Sequence, residues 1–195
     1  MDNENLPNID SSSYPRTKVQ GIADSHYSQQ ISGIENLRTK VKDIKPKIFN
    51  KPRVGVGVAT LIIKNNKVLM GKRHDDPEKA SSALHGEGTW TIPGGKLDFG
   101  EELKEGAARE ALEETGIKVN KENLKLISVG NEIVHDAHFV TLGFLAGEFT
   151  GEPRVMEPDE ITEWRWFSFD NLPKPIFFPA EKVIKNYLDK EIYKN

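Results

Sequence analysis

Between Gly94 and Ile117 the chain reads GGKLDFGEELKEGAAREALEETGI, and no other stretch constrains the fold as strongly. Glu101 to Thr115 reads as a helix, and Gly116 supplies the left-handed stop that ends one. At ~100° per residue, with Leu103 at zero, Ala107, Ala111, Ala108 and Leu112 fall between ~40° and ~180°. That side is apolar and small, so the helix is expected to pack closely on a sheet. Glu113, Glu110 and Glu114 fall near ~280°, ~340° and ~20°. This carboxylate arc begins where the apolar arc ends and is expected at the rim of the helix–sheet contact.

The charge on this helix needs a reason. From Asp98 to Glu114 seven acids stand against two bases, Lys104 and Arg109, while the whole chain carries only −3. Like charges three or four residues apart destabilise a helix by ~0.2–0.5 kcal/mol per pair. Glu113 and Glu114 also sit near the C-terminus, where the macrodipole disfavours anions. A divalent cation reverses the sign of both effects, because hard oxygen donors are what Mg²⁺ and Mn²⁺ select. Arg109 stands four residues from Glu105 and from Glu113 and can orient a neighbouring carboxylate.

The rest of the chain supplies the sheet. Residues 53–73 read as a hairpin: Val54, Val56 and Val58 alternate, and Asn65-Asn66 turn the chain into Lys67-Val68-Leu69-Met70. Residues 74–88 are loop by composition, and Thr89 to Ile92 is a short strand closed by Pro93-Gly94-Gly95. Strands are expected at about 124–134 and 137–147 and at Glu163–Phe167, with a last helix over about 179–193. This is an α+β pattern, a sandwich with a mixed sheet.

Residues 1–50 form an N-terminal extension, and 51–195 form the folded domain. The first thirty residues are too polar to offset the entropy of ordering, so the extension is expected to be mostly disordered, with a short helix over 33–44. Seven cations lie between Arg38 and Arg53 against the single anion Asp43. They read as a solvated face and linker, with docking to an acidic partner or nucleic acid as the sharper alternative. The absence of cysteine excludes disulfides and thiolate metal sites. No apolar run is long enough to span a membrane, and the N-terminus lacks the apolar core of a secretory signal, so the expected location is the cytoplasm.

Gly95, five residues, Glu101, seven residues, Arg109-Glu110, two residues, Glu113-Glu114, one residue and Gly116 together form the signature of the Nudix hydrolases, the MutT-like family. The chain resembles that family over residues 53–190. Ala111 departs softly, standing where a larger aliphatic residue is usual. The flanking segments Gly71-Lys72-Arg73, His85 to Trp90, Ile92 to Glu101, and Glu157-Pro158 followed by Glu163 to Trp166 resemble the nucleoside-triphosphate diphosphatase subgroup. The resemblance implies an α/β/α sandwich and metal-dependent hydrolysis of a nucleoside diphosphate linked to another group.

Carried over residue by residue, the resemblance makes Glu110, Glu113 and Glu114 ligands of Mg²⁺ or Mn²⁺. Glu110 or Glu101 becomes the carboxylate that activates water, and Arg109 the residue that orients Glu110. Gly95 provides a turn and Gly116 the exit from the helix. Arg73 and Lys96 are candidate phosphate contacts. Glu157, Asp159 and Glu160 lie in a loop where relatives sometimes add a ligand or base.

The expected reaction is conversion of a nucleoside triphosphate to monophosphate and pyrophosphate. Hydrolysis of ADP-ribose or another nucleotide sugar is the alternative. A regulatory domain that only binds a nucleotide is the alternative of another class. The expected partner is a nucleotide substrate, with no nucleic-acid polymer and no membrane; a homodimer stays open.

Overall fold

Strand β1 (Gly55–Lys64) is buried on both faces over Gly57–Ile62, and its alternation sets up the layers. Val58 and Ile62 point to one side, where Ala107 and Ala111 of helix α1 (Leu103–Thr115) complete a core with Leu69, Ile117 and Phe144. Ala59 and Leu61 point to the other side, against Ala180, Val183 and Ile184 of helix α2 (Phe178–Asp189). One helix on each face of one sheet is the expected α/β/α sandwich. The computed structural model describes residues 53–80 and 82–194, so the extension over residues 1–50 and its helix at 33–44 lie outside the described residues. Among the described residues no helix is long and apolar enough to cross a membrane.

The sheet is mixed. Strands run in the order β3 (Trp90–Thr91), β2 (Lys67–Arg73), β1, β7 (His138–Ala146), β6 (Lys125–Ile133). The β1–β7 pair is parallel, while β1–β2 and β6–β7 are antiparallel. Strand β9 (Ile161–Ser168) pairs antiparallel along the whole of β2, and β5 (Lys118–Val119) pairs with β8 (Phe149–Thr150) in a small second sheet. Asn65 and Asn66 both take positive φ, 52° and 58°, as the expected two-residue hairpin turn requires.

The β1–β2 hairpin pairs only at Ile63–Val68 and Lys64–Lys67 and then splays. Strand β4 (Gly94–Lys96) enters the gap and pairs with Gly57–Ala59 of β1, and Thr60 N donates to Pro93 O at 2.7 Å. Gly94-Gly95, expected as a turn, belong to a strand, because the unpaired edge of β1 needs a partner. This split is where the cavity described below opens.

Helix α1 differs from the expected projection in one respect. Its buried residues are Gly106, Ala107, Ala111, Glu114 and Thr115, an arc centred near ~40° rather than ~110°. Leu112, expected on the packed side, is 46% exposed, and Glu114, expected at the rim, is inside. Gly106 draws the helix in on that side: a Cβ there would stand 2.7 Å from Leu97. Gly116 ends the helix at φ 71° and donates to Leu112 O at 2.8 Å, as its sequence position implies.

Candidate active site

Residues from both layers meet around a cavity of about 430 Å³, lined among others by Gly94, Gly95, Lys96, Glu110, Glu113, Glu114, Glu157, Glu160, Arg73, Phe139 and Phe177. Glu114 occupies its floor. Its Oε2 accepts a hydrogen bond from Gly94 N at 2.9 Å. Burial pushes its carboxyl well above the ordinary value; Glu110, Glu157 and Glu160 add to the rise, and the Gly94 bond opposes it. Trp164 of β9 donates from Nε1 to Glu114 O at 3.1 Å, which ties the end of α1 to the sheet. The next segment crosses the same helix end, with Arg154 N on Thr115 O at 2.8 Å and Met156 N on Glu114 O at 3.3 Å. That crossing carries Glu157 and Glu160 to Glu114, and the three present oxygens within 4.8 Å of one another.

Glu110 is half-buried on the neighbouring turn. Burial raises its carboxyl, Arg109 opposes the rise, and Glu113 and Glu157 reinforce it. Gly95 makes room for it: a Cβ at 95 would lie 2.6 Å from the Glu110 carboxylate. The family resemblance gives Gly95 a turn, but its backbone here is ordinary strand. What the site requires at 95 is the missing side chain.

Arg109 organises the other acids. Nη1 donates to Glu110 Oε1 at 2.8 Å and to Glu113 Oε2 at 3.0 Å, while Nε and Nη2 hold both oxygens of Glu101 at 2.8 and 2.9 Å. These bonds push the guanidinium pKa further up and hold the Glu101 carboxyl below its ordinary value. Glu105, four residues from Arg109 as Glu113 is, pairs instead with Lys121. Glu101 therefore faces Arg109 and is absent from the cavity lining, and Glu113 borders the cavity with its side chain half-exposed.

The two candidate phosphate contacts are placed differently. Arg73 is 7% exposed, and its Nε and Nη2 donate to Gly86 O at 3.1 Å and Ala80 O at 2.5 Å. Its guanidinium lies 4.9 Å from the Phe177 ring centroid. It closes the 74–88 loop onto the end of β2 and offsets the charge of Glu114 and Glu160. Lys96 is exposed on β4, with Nζ 5.9 Å from the Phe139 ring centroid.

Glu110, Glu114, Glu157 and Glu160 thus bring four carboxylates to one cavity, with Arg73 the buried cation among the described residues there. Three of them, Glu110, Glu114 and Glu160, have their carboxyls raised, chiefly by burial. An all-oxygen set of this kind fits a hard divalent cation. Glu157 and Glu160 carry a weaker sequence signal than the helix, an acidic run just before a strand 40-odd residues downstream.

A family model described as the NUDIX domain matches residues 51–187. The chain belongs to the NUDIX family. It is 31% identical over 155 residues to an ADP-ribose pyrophosphatase of Methanocaldococcus jannaschii, a match covering 77% of this chain and 85% of that protein. It is 33% identical over 137 residues to the NAD-capped RNA hydrolase NudC of Pseudomonas entomophila, covering 70% of this chain and 44% of the relative's length. The crystal structure of a MutT NUDIX hydrolase from Burkholderia pseudomallei superposes with a TM-score of 0.61 at 32% identity, covering 69% of this chain and 98% of that one. The NUDIX domain described here is therefore a hydrolase of the MutT-like type acting on nucleotide substrates.

Proposed function

We propose that this NUDIX hydrolase splits the phosphoanhydride bond of a nucleoside diphosphate linked to a sugar, with ADP-ribose as the leading substrate. The observation that carries the reading is the commitment of Arg73. The cation that the sequence offers to a third phosphate is buried and donates to two loop carbonyls, so the cavity favours a diphosphate flanked by two uncharged groups. Phe139, Phe177 and Leu84 supply apolar wall for those groups. The likeness to the archaeal ADP-ribose pyrophosphatase, over most of both chains, points the same way.

Glu110, Glu114, Glu157 and Glu160 would hold the cation, with Glu113 at the cavity edge. Bound there, Mg²⁺ or Mn²⁺ would supply positive charge to the diphosphate and activate water for attack. Glu110 takes the proton of the attacking water through Oε2, the oxygen Arg109 does not hold. Arg109 positions Glu110, and Glu101 positions Arg109. Water adds to one phosphorus, the bridging P–O bond breaks, and the products are AMP and ribose 5-phosphate. A nucleoside triphosphate is the second reading, favoured by Lys96, an exposed cation on β4 that lines the same cavity. We place the enzyme in the cytoplasm.

A substrate panel with products separated by chromatography tests the choice. kcat/KM for ADP-ribose should exceed that for each nucleoside triphosphate and for NAD⁺ by at least about tenfold. A triphosphate cleaved faster, with release of pyrophosphate, would select the second reading.

A further inference from the structure

One buried acid has no part in the chemistry above. Glu132 of β6 is 1% exposed, and neither of its carboxylate oxygens accepts a hydrogen bond. They are the buried side-chain polar atoms left in that state among the described residues. Lys182 of α2 reaches it as an ion pair, with Nζ 3.3 Å from Oε1. The lysine side chain is one-third exposed and donates its hydrogen bond elsewhere, to Asn131 O at 3.1 Å. Buried polar side chains seldom lack a hydrogen-bond partner unless a ligand or water supplies one.

The place of Glu132 in the sheet points to a ligand. In the β6–β7 ladder Glu132 stands opposite Phe139, and Gly130 opposite Thr141. Cross-strand partners share one face of a sheet, and Phe139 and Thr141 both line the cavity. Glu132 therefore rises from the face that forms the cavity floor. Its carboxylate folds back over Gly130, where a Cβ would meet Oε1 at 2.0 Å and Oε2 at 3.2 Å. This lays the two oxygens beside Thr141, just behind the lining. Gly57 of β1, the partner of Thr141 on its other side, adds no side chain to the floor. Pro179 and Ala180, at the start of the helix that carries Lys182, line the same cavity.

Aromatic walls at Phe139 and Phe177 suit the flat face of a nucleobase. A carboxylate at the edge of that base selects one that presents N–H and repels one that presents a carbonyl oxygen. The 6-amino group of adenine meets this condition, and the 6-oxo group of hypoxanthine does not. We propose that Glu132 is a specificity-determining residue that accepts a hydrogen bond from the exocyclic amine of the base, a role that rests on the nucleotide reading above and names the base it prefers. The carboxylate turns from Gly130 towards Thr141 to make the contact. Lys182 lies on the Oε1 side and leaves Oε2 to the amine.

Substrate pairs that differ only at that position test this: ADP-ribose against inosine diphosphate ribose, and ATP against ITP. Each pair is measured with Mg²⁺ in wild type, Glu132→Gln and Lys182→Gln. The wild type should favour the amino member of the faster pair by about tenfold or more in kcat/KM. Glu132→Gln offers an amide N–H to the oxo group, so the preference should shrink to about threefold or less, through KM more than kcat. Lys182→Gln should keep the wild-type preference. If Glu132 only ties α2 to β6 through the ion pair, both variants should slow the two members alike and leave their ratio unmoved. That outcome would overturn the proposal. So would a wild type that cleaves both members of the faster pair equally, a result that needs no variant to fold. The ratio within a pair is separate from the choice between pairs, so a preference for triphosphates would overturn the ADP-ribose reading alone.

Discussion

Glu110→Gln should lower kcat on the best substrate by at least ~10²-fold, the lower range for loss of a positioned base, with a folded and stable protein. The amide keeps the volume beside Gly95 and can still accept the Arg109 bond. It removes a half-buried charge whose neighbours Glu113 and Glu157 repel it, so no stability should be lost. The fall should appear in kcat more than in KM, as expected when an interaction acts on the transition state. Near-wild-type turnover, measured with Mg²⁺ present, would remove Glu110 from the mechanism.

Saturating Mg²⁺ or Mn²⁺ should stabilise the fold, and more so at pH 8 than at pH 5.5. A cation at a hundredfold excess over its Kd contributes about 2.7 kcal/mol, or roughly 8 °C in Tm for a domain of this size. The pH sense follows from the raised carboxyls of Glu110, Glu114 and Glu160. A carboxyl whose folded value is raised stabilises fully below its unfolded value and loses that contribution as pH climbs through the folded one. The metal-free protein therefore weakens as pH rises, while the cation binds the ionised forms and offsets the loss. Glu114→Gln should lose most of this metal-dependent shift. A scanning-calorimetry series with an equal shift at both pH values, or in Glu114→Gln, would place the cation elsewhere.

Much of the site was legible because it is local. The helix, its Gly116 stop and the spacing of Arg109, Glu110, Glu113 and Glu114 lie within one periodic stretch, and periodicity is what a sequence displays directly. The depth of Glu114 was half-visible: at ~20° it falls between Gly106 and Ala107, the small residues that meet the sheet. Larger Leu112 drew the expected apolar arc away from them, although the contact is made by residues small enough to let backbones approach.

The pairings across the fold were not legible. Arg109 selects Glu101 over Glu105 because the loop from Asp98 folds back over the helix, with Glu101 Oε2 also accepting from Asp98 N at 3.1 Å. Gly95 reads as a turn residue until β1 and β2 splay and need β4 between them. Arg73 reads as a free cation at a strand end; the carbonyls that hold it belong to a loop whose path no period reveals. Glu157 and Glu160 reach Glu114 only because the chain crosses the end of α1 through Arg154 and Met156.

We propose that a cation held by the Glu110, Glu114, Glu157 and Glu160 cavity drives hydrolysis of a phosphoanhydride. It is tested most directly by the rate of ADP-ribose cleavage after exhaustive chelation, followed by stepwise return of Mg²⁺, in the wild type and in Glu114→Gln. Without metal no AMP should be measurable; on its return the wild-type rate should recover fully and the Glu114→Gln rate little. Unchanged cleavage by the chelated protein, or equal recovery in the variant, would contradict it.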